Sequence, residues 1–250
     1  MGGVSSPLLA NIYVSVLDRH FQQLWDTDMH PPWRRQHRRR TGRPNYRLVR
    51  YADDFVVLVA GTRAHAEALG EEVQAVLAQV GLRLSAAKTR ICHIDEGFDF
   101  LGFRIQRHPK PGTGKRYVYT YPAKKALAAV KAKLRALSRK DRDQPLAVLL
   151  HQLNRVLRGW TGYFKHGVSK RTFNYLRAIV WRRVVCWLRR KHPRASRKWL
   201  RRRYLPGWWP TDGEVTLVNP GAVVVSRYRY RGPIPSPWIE QPRPIIKGSH

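Results

Sequence analysis

The spacing of apolar residues divides this chain into a mixed first part and a helical second part. Before about residue 122, short apolar or alternating runs typical of strands lie between segments with helical spacing. In residues 123–205, apolar residues recur every three or four positions, which is the spacing of amphipathic helices. The pattern therefore predicts an α+β fold, in which antiparallel hairpins with packing helices precede an all-α region.

Two β-hairpins are predicted in the first part. Residues 46–50 and 55–60 are strand-like runs around a short turn, and residues 98–106 and 117–121 flank the turn-rich residues 109–114. Two shorter strands are also predicted, at residues 82–84 and 91–94.

Helices are predicted before and after the first hairpin. Ser6 and Pro7 favour a helix start, as N-cap and first helical residue. Apolar residues recur there at helical spacing, at Leu8, Leu9, Ile12, Val16 and Leu17. A second helix is predicted over residues 62–80, with Gly81 as its C-cap. Its inward positions are expected to be Leu69, Val73, Val76, Leu77 and Val80. Residues 25–43, which contain two adjacent prolines and three adjacent arginines, are predicted to be a basic surface loop.

Four helices are predicted in the second part. They are residues 124–140, a helix that opens at Pro145 and continues through Trp160, residues 171–191 and residues 196–204. Arg177 falls on the apolar side of the third helix, which the pattern does not explain.

The last part of the chain, residues 206–250, is Pro-rich and predicted to be mostly extended. Arginine and tyrosine alternate in residues 227–231. Two interpretations of that alternation stay open: stacking on bases with neutralisation of phosphates, or an edge strand that covers the helices.

Charge narrows the class of partner. The chain has 250 residues, 43% of them apolar, and 48 Lys and Arg against 16 Asp and Glu give a formal charge of +32. Residues 123–205 hold 25 of the cations and two acids, and residues 144–205 hold no acid. A merely solvated surface would mix both signs, so this imbalance favours binding of a polyanion, most simply nucleic acid. An anionic membrane surface is the weaker alternative.

Other classes are excluded by what the sequence lacks. Two cysteines cannot form a disulfide framework or a cysteine zinc site, and the ten histidines show no metal-ligand spacing. No apolar run is long enough to span a membrane, and the N-terminus lacks the features of a signal peptide. We therefore expect a soluble protein in a reducing, cytoplasmic setting.

The candidate chemistry lies at the tip of the first predicted hairpin, in Tyr51-Ala52-Asp53-Asp54. Two adjacent carboxylates repel each other unless a cation neutralises them. Mg²⁺ binds one or two carboxylates together with substrate phosphates, so the tip is a candidate half of a two-metal phosphoryl-transfer site. The alternative is an ordinary turn, because Asp is a common turn residue.

Further blocks decide between these interpretations. Residues 2–13 read GGVSSPLLANIY, and residues 81–85 read GLRLS, followed by Lys88-Thr89. Residues 100–103 read FLGF, and residues 153–160 read LNRVLRGW, followed by Tyr163-Phe164. In this order, and with the paired aspartates, the blocks closely resemble bacterial group II intron reverse transcriptase/maturases. The resemblance covers nearly the whole chain.

The resemblance implies RNA-templated DNA synthesis by two-metal nucleotidyl transfer, coupled to binding and splicing of intron RNA. By similarity, residues 1–122 are the C-terminal part of a polymerase palm with a primer-grip-like hairpin, and residues 123–205 are a helical thumb and maturase-specific region. Residues 206–250 are an extension. The implied partners are intron RNA, an RNA/DNA template–primer and a dNTP. A non-catalytic RNA-binding splicing cofactor, or a relic fragment, is the alternative.

The resemblance also assigns roles to residues. Asp53 and Asp54 are the implied catalytic residues and ligands of Mg²⁺. The implied substrate, primer and nucleotide contacts are Tyr51, Ala52, Gly2, Gly3, Ser6, Pro7, Lys88, Leu101 and Gly102. The expected RNA-binding cations are Arg155, Arg158, Lys165, Arg171, Arg182, Arg183, Arg189, Arg190, Arg201, Arg202 and Arg203. Base stacking is open to Trp160, Tyr163 and Phe164, with core packing as the alternative, which is favoured for Trp160.

The sequence departs from the family pattern in four respects. Met1 stands where the family has Gln, and Ala87 replaces the acid usual before Lys88. The fingers and the first palm strand, which carries another metal-binding Asp in the family, have no counterpart here, and the cysteine pairs of an endonuclease module are absent. We therefore expect no second-strand DNA cleavage and no polymerisation by this chain alone. A misplaced start, a split gene with a complementing N-terminal polymerase chain, and a degenerate relic remain open.

Overall fold

A computed structural model describes residues 6–139 and 143–226, with side chains described from residue 11 onward. Helices and small antiparallel sheets are mixed, which confirms the α+β class. The chain divides into two compact units, the first ending at Leu101 and the second beginning at Gly102. No helix within the described part is both long and apolar enough to cross a membrane.

The first unit confirms the predicted hairpin and flanking helices. Its elements are α1 (Ser6–Leu24), a π-helical turn (Trp25–Met29), α2 (Pro32–Arg40), β1 (Asn45–Tyr51), β2 (Asp54–Ala60), α3 (Arg63–Ala78) and β3 (Phe98–Phe100). Strands β1 and β2 pair antiparallel, with Asn45 opposite Ala60 and Tyr51 opposite Asp54. This register leaves only two residues between the strands.

The core of the first unit lies between α1, the hairpin and α3. It consists of Val14, Leu17, Phe21, Leu48, Leu69, Val73, Val76 and Leu77. The inward face predicted for α3 is confirmed for four residues, while Val80 is half-buried. Ile12 follows the helical spacing of the apolar residues of α1, but its side chain is 57% exposed. Residues two apart on a helix point roughly 200° away from each other, so burial of Val14 turns Ile12 to solvent.

Two predictions for this unit are wrong. Residues 25–43 are mostly helical, because Pro32 occupies the first turn of α2, where proline is tolerated, and arginine is a good helix former. Residues 82–84 and 91–94 do not form strands. Leu84 N–H donates to the side chain of Gln74, at 2.8 Å, and so does not enter a strand ladder. Lys88 lies in a turn, and its backbone N–H donates to the Ser85 carbonyl at 2.9 Å.

The second unit confirms the second predicted hairpin and the four helices. Its elements are β4 (Phe103–Pro109), β5 (Arg116–Pro122), α4 (Lys124–Leu137), α5 (Leu146–Phe164), α6 (Lys170–Lys191), α7 (Arg197–Tyr204), β6 (Thr211–Asp212) and β7 (Val215–Thr216). Helix α4 ends three residues before the predicted limit, and Ser196 caps α7 by accepting a hydrogen bond from Trp199 N–H.

A leucine-rich core joins α4, α5 and α6. Its fully buried members include Leu149, Leu150, Leu153, Leu157, Leu176, Val180, Val184 and Trp187. Leu217, from the segment after α7, completes this core. That segment contains two 3₁₀ turns and a two-residue hairpin, so the prediction of a mostly extended chain is wrong for residues 206–222. Residues 227–231 lie outside the described residues.

Candidate active hairpin and nucleic-acid interface

The β1–β2 turn exposes two adjacent carboxylates. Ala52 and Asp53 form the two-residue connection, and Ala52 has a φ of 54°. A positive φ at this position normally selects glycine, so the turn stores local strain, which is common at functional sites. Asp53 and Asp54 are both exposed. Within the described part of the chain, neither carboxylate takes part in an ion pair.

The side chain of Arg50 holds the turn in place through hydrogen bonds. Its Nη1 donates to the Ala52 carbonyl at 2.7 Å and to Asn11 Oδ1 at 2.9 Å. Its Nε donates to both carboxylate oxygens of Asp18, at 3.1 and 3.0 Å. The hydrogen bond to Asp18 raises the pKa of the Arg50 guanidinium. Arg50 therefore links the carbonyl of Ala52, the residue with the strained φ, to α1. Asp18 is the counter-ion of Arg50.

Replacing Arg50 by glutamine is expected to lower the free energy of unfolding by about 1–2 kcal/mol, because several charge-assisted hydrogen bonds are lost and Asp18 keeps a partly shielded charge. Arg63→Gln is the matched control. It removes a 2.8 Å pair with Glu67 in which both side chains are more than half exposed, so its effect should be much smaller than that of Arg50→Gln. Urea unfolding of both variants measures the difference. Equal losses would contradict a special role for Arg50.

The donor set at the tip suits magnesium. Two adjacent carboxylates, both open to solvent, are hard oxygen ligands of the kind that Mg²⁺ combines with substrate phosphates. Among residues 6–139 and 143–226, no three His, Cys, Asp or Glu side chains converge on a common point. Asp53 and Asp54 are thus the part of a ligand set that the described chain brings together.

The other predicted substrate residues are spread over several elements. Tyr51 is 67% exposed beside the carboxylates, and Lys88 is exposed in its own turn. Gly2 and Gly3, and the side chains of Ser6 and Pro7, lie outside what the structure describes.

Leu101 and Gly102 interrupt the strand predicted over residues 98–106. Their φ angles are 49° and 77°, which break the strand between β3 and β4. The Gly102 carbonyl accepts a hydrogen bond from Ala123 N–H at 2.9 Å, and a Cβ on Gly102 would lie 3.4 Å from Phe164 Cζ. The break is therefore a built turn that requires glycine at its second position.

The cationic surface of the second unit is displayed as the sequence predicted. Most of the predicted RNA-binding cations are exposed, and Lys165 and Arg183 are half-buried. Arg203 lies 3.9 Å from Asp212, an ion pair at the edge of this surface. Arg177 is explained by the fold, because it is exposed and its guanidinium lies 5.3 Å from the ring centre of Trp209.

A cluster of arginines was missed by the sequence analysis. Arg183 on α6 is surrounded by Arg135 and Arg139 from the end of α4 and by Arg190. Burial, and then these neighbouring positive charges, lower the pKa of Arg183. Arg190 Nη2 also donates to the Ser138 carbonyl at 3.4 Å, which holds the two helices together here. Only the packing of α4 against α6 brings these four side chains to one place.

Aromatic side chains divide between core and surface. Trp160 packs against the core, with its ring centre 4.5 Å from that of Phe164, which confirms core packing for Trp160. Base stacking by Phe164 is wrong, because its side chain is only 4% exposed. Tyr163 is 52% exposed and contacts the ring of Phe103. The sequence analysis missed Trp208, which is 61% exposed with the Arg201 guanidinium 5.1 Å from its ring centre.

A carboxylate hairpin in one unit and a cationic helical surface in the other are features of a nucleic-acid polymerase. The family model for reverse transcriptase (RNA-dependent DNA polymerase) matches residues 1–105. The model for the group II intron maturase-specific domain matches residues 127–205. Together, in this order along the chain, the two matches support a group II intron reverse transcriptase/maturase. Polymerases of this family generally use Mg²⁺, and its members bind intron RNA and template–primer.

Two curated proteins are similar to parts of this chain. Protein YkfC of Escherichia coli (strain K12) is 38% identical over 139 residues, which are 50% of this chain and 36% of that protein. Group II intron-encoded protein LtrA of Lactococcus lactis subsp. cremoris is 30% identical over 159 residues, which are 46% of this chain and 26% of LtrA. The chain thus spans well under half the length of these relatives.

Proposed function

We propose that this chain supplies the metal-binding hairpin of an RNA-directed DNA polymerase and a cationic surface that binds group II intron RNA. The observation that supports it most is the pair Asp53 and Asp54, exposed on a turn held by Arg50. In this proposal residues 1–122 are palm, residues 123–205 are thumb and maturase-specific region, and residues 206–250 are an extension.

The chemistry proposed for the tip follows from its residues. Magnesium bound there would activate a primer 3′-hydroxyl and stabilise the departing pyrophosphate. Asp53 and Asp54 would hold the ion, while the short register of the hairpin keeps both carboxylates in fixed positions. Tyr51, 67% exposed beside them, would contact the incoming nucleotide, and the turn at Leu101 and Gly102 would contact the primer end.

Replacing Asp53 and Asp54 by asparagine is expected to weaken Mn²⁺ binding at least tenfold in the presence of dNTP, because two anionic ligands become neutral. Electron paramagnetic resonance of free Mn²⁺, titrated with the 250-residue chain, measures this. The double variant Glu71→Gln and Glu72→Gln is the control, since it removes two adjacent carboxylates from α3 in the same unit. Equal weakening in both variants would contradict a site at the tip.

Polymerisation is a separate prediction. We expect no primer extension by the 250-residue chain alone with Mg²⁺, an RNA template and dNTPs, because two-metal transfer needs several anionic ligands placed together. Robust extension that disappears in Asp53→Ala would contradict this expectation and would establish the chain as a complete catalyst.

A non-catalytic splicing cofactor is the second candidate. The exposed arginines of α5, α6 and α7 favour it, because phosphate contacts need no metal site. Intron RNA that is spliced equally well by the wild type and by the Asp53→Asn, Asp54→Asn variant would select this candidate. It would also separate RNA binding from the chemistry of the hairpin.

A further inference from the structure

Helix α2 in the first unit presents a mixed aromatic and basic face. Residues 30–52 contain eight arginines and no acid. Trp33, His37 and Arg40 are spaced by four and three residues, so they share one face of the helix, and all three are exposed. Trp33 is 61% exposed. An exposed indole within a cationic face is a combination that a merely solvated surface does not require.

The six arginines of residues 34–43 divide into two sets, of which the first fixes the helix. Arg34 donates to the Thr27 carbonyl, and Arg35 donates to the Met29 carbonyl at 2.7 Å. Arg38 donates to the Pro44 carbonyl at 2.8 Å and pairs with Asp28 at 2.7 Å. These contacts anchor the helix at both ends.

The second set faces solvent. Arg39, Arg40 and Arg43 are exposed, and no acid of the described residues pairs with them. Arg39 and Arg40 are adjacent in the last turn of α2, and the N–H of Arg43 donates to the Arg38 carbonyl at 2.7 Å, so three cations without an acidic partner among the described residues fall within five positions of the chain. Such an arrangement is unfavourable unless a polyanion neutralises it.

Trp25, in the π-helical turn before α2, and Trp33, in α2, differ in how much of each ring is open to solvent. Trp25 is half-buried, with the guanidinium groups of Arg35 and Arg47 at 4.9 and 5.4 Å from its ring centre. Trp33 has one such neighbour, Arg34 at 5.5 Å, and keeps most of its surface open. Stacking of an unpaired base on an exposed aromatic, beside guanidinium groups that contact phosphate, is the common way to bind single strands.

We propose that α2 is a second nucleic-acid site, which binds a single-stranded polynucleotide through Trp33 and the cations Arg39, Arg40 and Arg43. It is separate from the cations of the second unit. The inference rests on the proposed function, because it adds a contact for the same class of partner.

The test compares two triple variants of the 250-residue chain. Arg39→Gln, Arg40→Gln, Arg43→Gln is expected to weaken binding of a 12-nucleotide oligo(U) about tenfold at low salt. The slope of log affinity against log salt should fall by about two, since each phosphate contact on a single strand contributes about 0.7. The control is Arg63→Gln, Arg83→Gln, Arg90→Gln, which removes the same charge from exposed positions of the same unit. Its slope should stay close to that of the wild type.

Trp33→Ala tests the stacking separately. It should weaken oligo(U) and oligo(dT) about tenfold and leave a 12-base-pair duplex unchanged, because paired bases cannot stack on it. Equal loss on duplex and single strand would overturn the stacking, and a cation variant that matches its control would overturn the site. A wild type that binds no RNA would instead overturn the proposed function. Circular dichroism of each variant confirms that α2 and the fold are kept.

Discussion

Replacing Arg135, Arg139, Arg183 and Arg190 by glutamine is expected to weaken RNA binding about 100-fold at low salt, without lowering the melting temperature. Arg135 lies in α4, Arg139 lies just after its end, and the other two lie in α6; the pKa of Arg183 is lowered by burial and by the positive charges of the other three. A lowered pKa on a cation means that the fold disfavours its charged form. The mutual repulsion of the four arginines therefore destabilises the folded state, and a bound phosphate would offset this repulsion.

This prediction distinguishes RNA-binding arginines from structural ones, because RNA binding should weaken while the melting temperature does not fall. Arginines with a structural role, paired with acids, would destabilise the fold when replaced. Here the favourable terms are the 3.4 Å bond from Arg190 to the Ser138 carbonyl and the attraction of Arg135 to the end of α4. The bond is long and only partly buried, and Arg135 is a single cation in the last turn of its helix, so removal of the mutual repulsion should match or exceed these terms.

Fluorescence anisotropy with labelled intron RNA, measured over a range of salt concentrations, and a thermal melt provide the two readouts. The slope of log affinity against log salt should fall by about two to three in the variant. The control variant carries glutamine at four exposed arginines of the first unit, Arg19, Arg63, Arg83 and Arg90. RNA affinity that falls equally in both variants would show that only net charge matters. A lower melting temperature in the cluster variant alone would show that the four arginines stabilise the fold.

The elements with strong local periodicity could be predicted from the sequence. The β1–β2 hairpin, α3 and the four helices of the second unit all have apolar positions whose spacing matches the period of the element. The exposure of the tip carboxylates could also be predicted, but from the turn. A two-residue turn between paired strands exposes its residues whatever the rest of the fold does.

Elements without such periodicity could not be predicted. Helix α2 begins with prolines and carries five arginines, which favour a loop in a sequence interpretation, although proline is compatible with a first helical turn. Residues 82–84 and 91–94 are apolar enough for strands. A strand, however, needs a partner, and Leu84 N–H bonds to a side chain instead.

Contacts between distant residues were also beyond the sequence pattern. The environment of Arg183 depends on Arg135, 48 positions earlier on another helix. Arg177 interrupts the apolar stripe of α6 in the sequence. The fold accounts for it, because Trp209, from the segment after α7, lies beside its guanidinium. In both cases the sequence gives the charge, while the packing of a second element decides what the charge contacts.

Replacing Asn154 by alanine is expected to lower the free energy of unfolding by about 2–4 kcal/mol, one of the largest effects of a single substitution in the second unit. Asn154 lies in α5 and is 3% exposed. Its Nδ2 donates to the Thr216 carbonyl at 2.8 Å, and its Oδ1 accepts from Val218 N–H at 2.7 Å. Without the amide, both partly buried backbone groups lose their partner, at about 1–3 kcal/mol each.

A second variant separates the lost hydrogen bonds from the lost volume. Asn154→Leu fills the space but offers no donor or acceptor, so it should destabilise nearly as much as alanine. Gln152→Ala, a half-buried position on the same helix, should change the free energy of unfolding by less than about 0.5 kcal/mol. Urea unfolding compares the three, and full stability in Asn154→Leu would contradict the hydrogen-bonding role.

The same substitution tests whether residues 153–160 have two separate roles, one in core packing and one in RNA binding. Leu153, Asn154 and Leu157 are buried, whereas Arg155 and Arg158 are exposed on the other side of α5. Asn154 secures the segment with Leu217 over the core, so the block holds the second unit together with one face and presents cations with the other. Asn154→Ala should therefore weaken RNA binding only at temperatures at which the second unit unfolds, while Arg155→Gln with Arg158→Gln should weaken it at every temperature and leave the melting curve unchanged.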